Sequence, residues 1–135
     1  MTRIDRRMKR WLLTTGAVYA VGAVDFLMRP RNSTDSLNMT GGEPIEPEDP
    51  PGVYNSLASA YMATIAVLAL TTAADPQENR ALVPPLLVAK AGSSAALMYR
   101  YFRTRRRGFA VASALDAFLF GVTAGLYAAQ DRAGR

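Results

Sequence analysis

Three ionisable residues, Asp25, Lys90 and Asp116, sit inside long apolar stretches of a chain that otherwise keeps its charges apart. A charged side chain near a bilayer centre costs about 2.5–3.5 kcal/mol on insertion scales, so such groups pair or line a path for ions or protons. Lys90 lies 11 residues before Tyr101, and Asp116 lies 8 residues after Gly108. At 1.5 Å rise per residue, the two stand about 16 Å and about 12 Å from the same end of an antiparallel hairpin. These depths predict a Lys90–Asp116 ion pair. Ser93 and Ser94 follow Lys90 by about one helical turn and Ser113 precedes Asp116 by nearly one, so hydroxyls can complete a polar cluster. The plainer reading is a structural pair that fixes helix packing. The sharper one is a proton relay or a site for an ionic substrate. Asp25 lies close to the end of its stretch, about 5 Å from the interface. There it reaches water or Arg29 one turn on, which is an interfacial role.

The elements that must position these residues are apolar and long. Half of the 135 residues are hydrophobic, and nearly all of the 16 basic and 11 acidic residues gather in a few polar patches. Between the patches run four apolar stretches, at about 11–28, 53–74, 81–101 and 108–129. A bilayer core about 30 Å thick takes about 20 residues of helix to cross. The expected fold is therefore all-α, a single membrane domain over 1–135. It is a bundle of four transmembrane helices with one long polar loop, 29–52, between helices 1 and 2. That loop is rich in Pro, Gly and acids, and is expected to be irregular. Its Asn32-Ser33-Thr34 and Asn38-Met39-Thr40 triplets fit the glycosylation pattern, which is common by chance. The basic segment before the first stretch resembles a signal peptide, but the stretch is longer than an h-region and no small-x-small cleavage site ends it, so an uncleaved helix is expected. Asp75-Pro76 marks a sharp reversal between the second and third stretches, and Pro84-Pro85 falls in a first turn, where a missing N–H costs little.

Orientation is harder to read. Arg3, Arg6, Arg7, Lys9 and Arg10 stand at one end of the chain, and Arg100, Arg103, Arg105, Arg106 and Arg107 form a second patch three crossings away. Four crossings put the two patches on opposite faces, so one of them violates the positive-inside rule in either orientation. Three resolutions are open: an outer patch held against anionic headgroups or a partner, insertion in both orientations, or a third stretch that fails to cross. The reading kept is four crossings in the cell membrane with a cytoplasmic N-terminus.

Small residues recur every fourth position in the last stretch, from Ser113 through Ala117, Gly121 and Gly125 to Ala129. Gly121-x-x-x-Gly125 is a close-packing motif of membrane helices, expected to serve the bundle, with a homodimer as the alternative. Similar rows occur at Ser56, Ala60 and Thr64, and at Gly92 and Ala96. Aromatics at Trp11, Tyr54, Tyr99, Tyr101, Phe102, Phe109 and Tyr127 fall near the boundaries, as an interfacial belt does. With no Cys and no His, thiolate metal sites, dithiol redox chemistry and the usual haem ligand are excluded. No cofactor or metal is expected, and no nucleic-acid partner, because no soluble domain presents a basic face. The partners expected are the lipid bilayer with its anionic headgroups and a second membrane protein or copy. No nucleophile elbow, phosphate loop or paired catalytic carboxylates occur. The expected role is a non-enzymatic accessory, structural or partner-binding component. The alternatives are a small proton-coupled transporter or channel using Lys90 and Asp116 and, more weakly, a lipid-modifying enzyme at the Arg-rich interface.

Overall fold

A computed structural model describes residues 2–29, 31–46 and 53–133. The described residues form helices and no strand: α1 (Arg3–Met28), α2 (Asn32–Asn38), α3 (Val53–Ala74), α4 (Val83–Thr104) and α5 (Arg107–Ala133), with a 3₁₀ turn at Arg80–Leu82 before α4. Four of these helices are long and apolar enough to cross a membrane.

α1 begins well before the apolar stretch because its N-terminus is capped. The Thr2 hydroxyl accepts from the Asp5 amide at 3.1 Å, and the Asp5 carboxylate accepts from the Thr2 amide at 2.8 Å. This reciprocal box satisfies two of the amides that a helix start leaves orphaned. The helix ends where Arg29 precedes Pro30, a position from which the α conformation is disfavoured. Between α3 and α4, the Asp75 carboxylate accepts from the amides of Gln77 and Glu78 at 2.9 and 3.1 Å. Those two amide bonds, the Glu78 one foremost, hold Asp75 below the usual carboxylate range. α4 is unbroken from Val83 to Thr104, so the third apolar stretch does not turn back on itself. It ends at Arg105, which takes a left-handed φ of 58°. Glycine adopts that conformation freely, whereas another L-residue incurs roughly 1–2 kcal/mol.

The helices pair as α1 with α3 and α4 with α5, and the two pairs meet more lightly. The α3–α4 connection, for all its shortness, does not make those two the closest neighbours. α1 packs closely against α3 at Gly16, beside the Ala66 backbone, and at Gly22, beside the Met62 side chain. A Cβ on Gly16 would come within 2.6 Å of Leu70, and one on Gly22 within 2.2 Å of the Met62 methyl. The Ser59 hydroxyl reaches across the same interface to the Ala23 carbonyl at 2.7 Å. The core gathers Met8, Leu12, Ile65, Ala69, Val83 and Leu86.

Two expectations need correction. The ladder through Gly121 and Gly125 does not pack the bundle: both are exposed, and a Cβ at either would meet no atom within 4 Å. The rows at Ser56, Ala60 and Thr64 and at Gly92 and Ala96 are exposed too. Close packing uses α1 instead, because its glycines are the ones that oppose α3. The polar loop is also not irregular throughout. Residues Asn32–Asn38 form α2, which lies so close to α5 that a Cβ on Gly108 would be 2.4 Å from the Leu37 carbonyl oxygen. The Asn38 side chain then bonds both backbone groups of Ile45, at 3.0 and 2.7 Å, tying the loop down. Loop positions 47–52 and tail positions 134 and 135 lie outside the described residues.

Candidate functional site

The buried ionic cluster is assembled from three helices, with a fourth alongside. From α4, Lys90 points inward at 3 % exposure, and from α5, Asp116 does so at 8 %. The Lys90 ammonium donates to Asp116 Oδ1 at 2.8 Å. From α1, the Tyr19 hydroxyl donates to the same oxygen at 3.0 Å and accepts from Lys90. Ser93, one turn beyond Lys90, donates to Asp116 Oδ2. The ammonium also lies 4.0 Å from the centroid of the Tyr19 ring and 5.3 Å from that of Tyr61, on α3. Aromatic faces stabilise a desolvated cation. Tyr61 itself donates to the Ala89 carbonyl at 2.9 Å, joining α3 to α4.

Below the pair, Ser94 and Ser113 exchange hydroxyl and backbone bonds at 2.8–3.1 Å. Every hydroxyl expected to complete the cluster therefore stands in it or beside it. Ser94 and Ser113 also floor a shallow, mostly apolar groove of about 360 Å³ on the outer face of α4 and α5, with Ala91, Ala95, Met98 and Phe120 among its walls. Among the described residues, no three side chains of metal-ligating type come together.

Asp25 is not part of this cluster. It lies near the end of α1, half-exposed, with Arg29 at 3.9 Å one turn on. The basic patch of Arg100, Arg103, Arg105, Arg106 and Arg107 stands at the α4–α5 corner, also apart from the cluster. There Arg106 faces Glu43 of the loop at 3.9 Å.

Sequence reasoning missed two sets of residues. Tyr19 and Tyr61 carried a usable signal: both stand mid-stretch, away from the boundary aromatics, and a buried phenol requires a hydrogen-bond partner. The second set is at the opposite end, where buried Asp5 Oδ1 accepts from Gln77 at 2.8 Å and Gln130 at 2.9 Å. This node joins the start of α1, the α3–α4 turn and the end of α5. Nearby, Arg80 pairs with Asp131 at 2.5 Å over the Tyr127 ring, and the Trp11 indole donates to Thr123 at 2.9 Å. Trp11 thus binds α1 to α5 rather than serving only as a belt residue. No periodic signal announces an acid that pairs with amides 72 and 125 residues away.

Asp5→Ala removes the capping box and takes the acceptor from the buried Gln130 amide and from the exposed Gln77 amide. The expected loss is about 2–3 kcal/mol, read as a lower unfolding midpoint of purified protein in detergent. Asp5→Asn keeps an acceptor and should lose roughly half as much. Equal midpoints for Asp5→Ala and the parent chain would remove the node from the fold's support.

Compared with known proteins, the chain matches no family model, no curated protein and no solved structure.

Proposed function

We propose that the chain is a four-pass protein of the cell membrane, N-terminus in the cytoplasm, acting as a non-enzymatic accessory or partner-binding component. On this reading the Lys90–Asp116 cluster is a lock that holds its helices in one arrangement. One observation carries the membrane reading: the distribution of side chains is that of a lipid-solvated bundle. Val21 is 70 % exposed, Val88 73 % and Phe118 61 %, while Thr72, Lys90, Ser113, Asp116 and Thr123 are buried. In water, apolar exposure along every long helix far exceeds what a soluble monomer tolerates. In lipid it costs nothing, and polar groups turned inward are what the bilayer demands.

The lock reading is favoured over transport by the saturation of the cluster. The pair is neutral as a unit, and each carboxylate oxygen of Asp116 already accepts from a side chain. An ion or substrate has to break these bonds to enter. The rival reading draws on the same protic chain, Ser93–Asp116–Tyr19–Lys90, as a proton route. A charge exchange separates them. The double variant Lys90→Asp with Asp116→Lys keeps a pair at the same place, so a lock should recover both folding and cellular function. Recovery of folding together with loss of a proton or solute flux in vesicles would favour transport and overturn the lock. A lipid-modifying activity is addressed separately, by incubating the purified protein with a panel of phospholipids; turnover would replace the non-enzymatic reading.

The orientation problem also gains a physical element. The described part of the acidic loop meets the α4–α5 corner through Leu37, Gly42 and Glu43, at the end of the bundle opposite the N-terminal arginines. Acidic residues weigh little in the insertion rule, so the loop does not alter the count of basic residues on each face. It supplies counter-charge once the protein is folded.

A further inference from the structure

Among the described residues, the loop meets the α4–α5 corner at Arg106 and Arg107. Arg106 faces Glu43, and the stem of Arg107 lies 3.6 Å from where a Cβ of Gly42 would stand. Arg100, Arg103 and Arg105 are exposed, with no carboxylate of the described residues within 4.0 Å of any of them. Arg100 and Arg103 are three residues apart on α4 and so share a face. Tyr99 and Phe102, interleaved with them, are 62 % and 59 % exposed, the amphipathic and apolar side chains expected at headgroup depth. The Arg105 guanidinium stands 5.9 Å from the Phe102 ring.

Arg105 adds a second, independent sign. It occupies a left-handed position that a glycine would take without strain. A strained residue that the turn itself does not require points to a use for its side chain. Guanidinium groups are the side chains best matched to phosphate oxygens, which they meet two bonds at a time.

We infer that Arg100, Arg103 and Arg105 form a site for the phosphate of an anionic phospholipid, in the leaflet opposite the N-terminal arginines. This rests on the membrane reading above. It names what offsets the charge that the described part of the loop leaves unpaired, and it gives the basic corner a use as a lipid-selective surface. Lipid is favoured over free phosphate because the flanking aromatics place the arginines level with headgroups.

The test is local fluorescence. Trp11 is the single tryptophan, so a Trp11→Phe, Phe102→Trp variant carries its one indole beside Arg105. It is reconstituted in phosphatidylcholine vesicles containing either brominated phosphatidylglycerol or brominated phosphatidylcholine at equal mole fraction. Bromine quenches only indoles it touches. Each arginine near an anionic surface is worth about a fivefold preference, so the brominated anionic lipid should be enriched at least fivefold over the zwitterionic one. Adding Arg100→Gln, Arg103→Gln and Arg105→Gln should bring that ratio close to one, whereas Arg106→Gln, which removes an arginine already facing Glu43, should leave it nearly unchanged. Equal quenching by the two lipids would overturn the site, as would a preference that survives the triple substitution or that inorganic phosphate abolishes. Failure of the protein to enter vesicles at all would strike the membrane reading instead.

Discussion

Lys90→Met is expected to cost about 3–5 kcal/mol of bundle stability, and Asp116→Leu a similar amount, while the two together should cost far less than either. The reason is the asymmetry of buried charge. Removing one partner strands the other in a low-dielectric interior, whereas replacing both by apolar groups removes the desolvation penalty along with the attraction. Lys90 is 3 % exposed, and its ammonium lies against the rings of Tyr19 and Tyr61 rather than water. Asp116 has two hydroxyls to lean on, from Tyr19 and Ser93, so Lys90→Met should be the milder of the single changes. The measurement is unfolding of purified protein in mixed micelles, with all four corners of the double-mutant cycle. A coupling energy of at least about 2 kcal/mol is expected for groups that touch. Single substitutions that leave the midpoint unmoved, or a double variant as weak as the sum of its parts, would deny the pair a role as a lock.

Alanine at the glycines should separate positions by sign. Gly16→Ala places a methyl 2.6 Å from Leu70 and 3.3 Å from the Ala66 carbonyl oxygen. Because one obstacle is backbone, α1 and α3 must move apart, and overpacking of this kind costs about 1–3 kcal/mol. Gly22→Ala meets only the far end of Met62, which can swing aside, so its cost should be smaller. Gly121→Ala and Gly125→Ala meet nothing and should gain up to about 1 kcal/mol from better helix propensity. The order of midpoints, Gly16→Ala lowest and Gly121→Ala highest, tests whether α1 carries the close approach. A fall at Gly121 or Gly125 together with a loss of oligomeric mass would show that a second copy packs against that face.

Much of this arrangement is legible before any coordinates. Segregated charges and stretches of about 20 apolar residues specify four helices because the bilayer length and the helical rise leave few alternatives. The Lys90–Asp116 pair follows from depth alone, since a hairpin joined at Thr104–Arg107 brings equal depths together. What the sequence does not disclose is which face of each helix turns inward. Gly121-x-x-x-Gly125 and Gly16 with Gly22 are equally small, and only the partner helix decides which approach is used. Asp5 is hidden for a related reason. It stands among arginines and resembles one more surface acid until the α3–α4 turn and the end of α5 are brought over it. The α2 turn also escapes, because six polar residues and a single Leu have no apolar period, and contact with Gly108 holds them.

The chain has no cysteine of its own, so single cysteines can report which side of a membrane each connection faces. Substitution at Ser36, Asn79 and Thr104, followed by labelling of sealed vesicles with an impermeant maleimide, tests the four-crossing bundle most directly. Ser36 and Thr104 should react from one side, and Asn79 only from the other. Reaction of Thr104 from the same side as Asn79 would mean that α4 does not cross, and reaction of all three in protein extracted without detergent would mean that no lipid-spanning bundle exists.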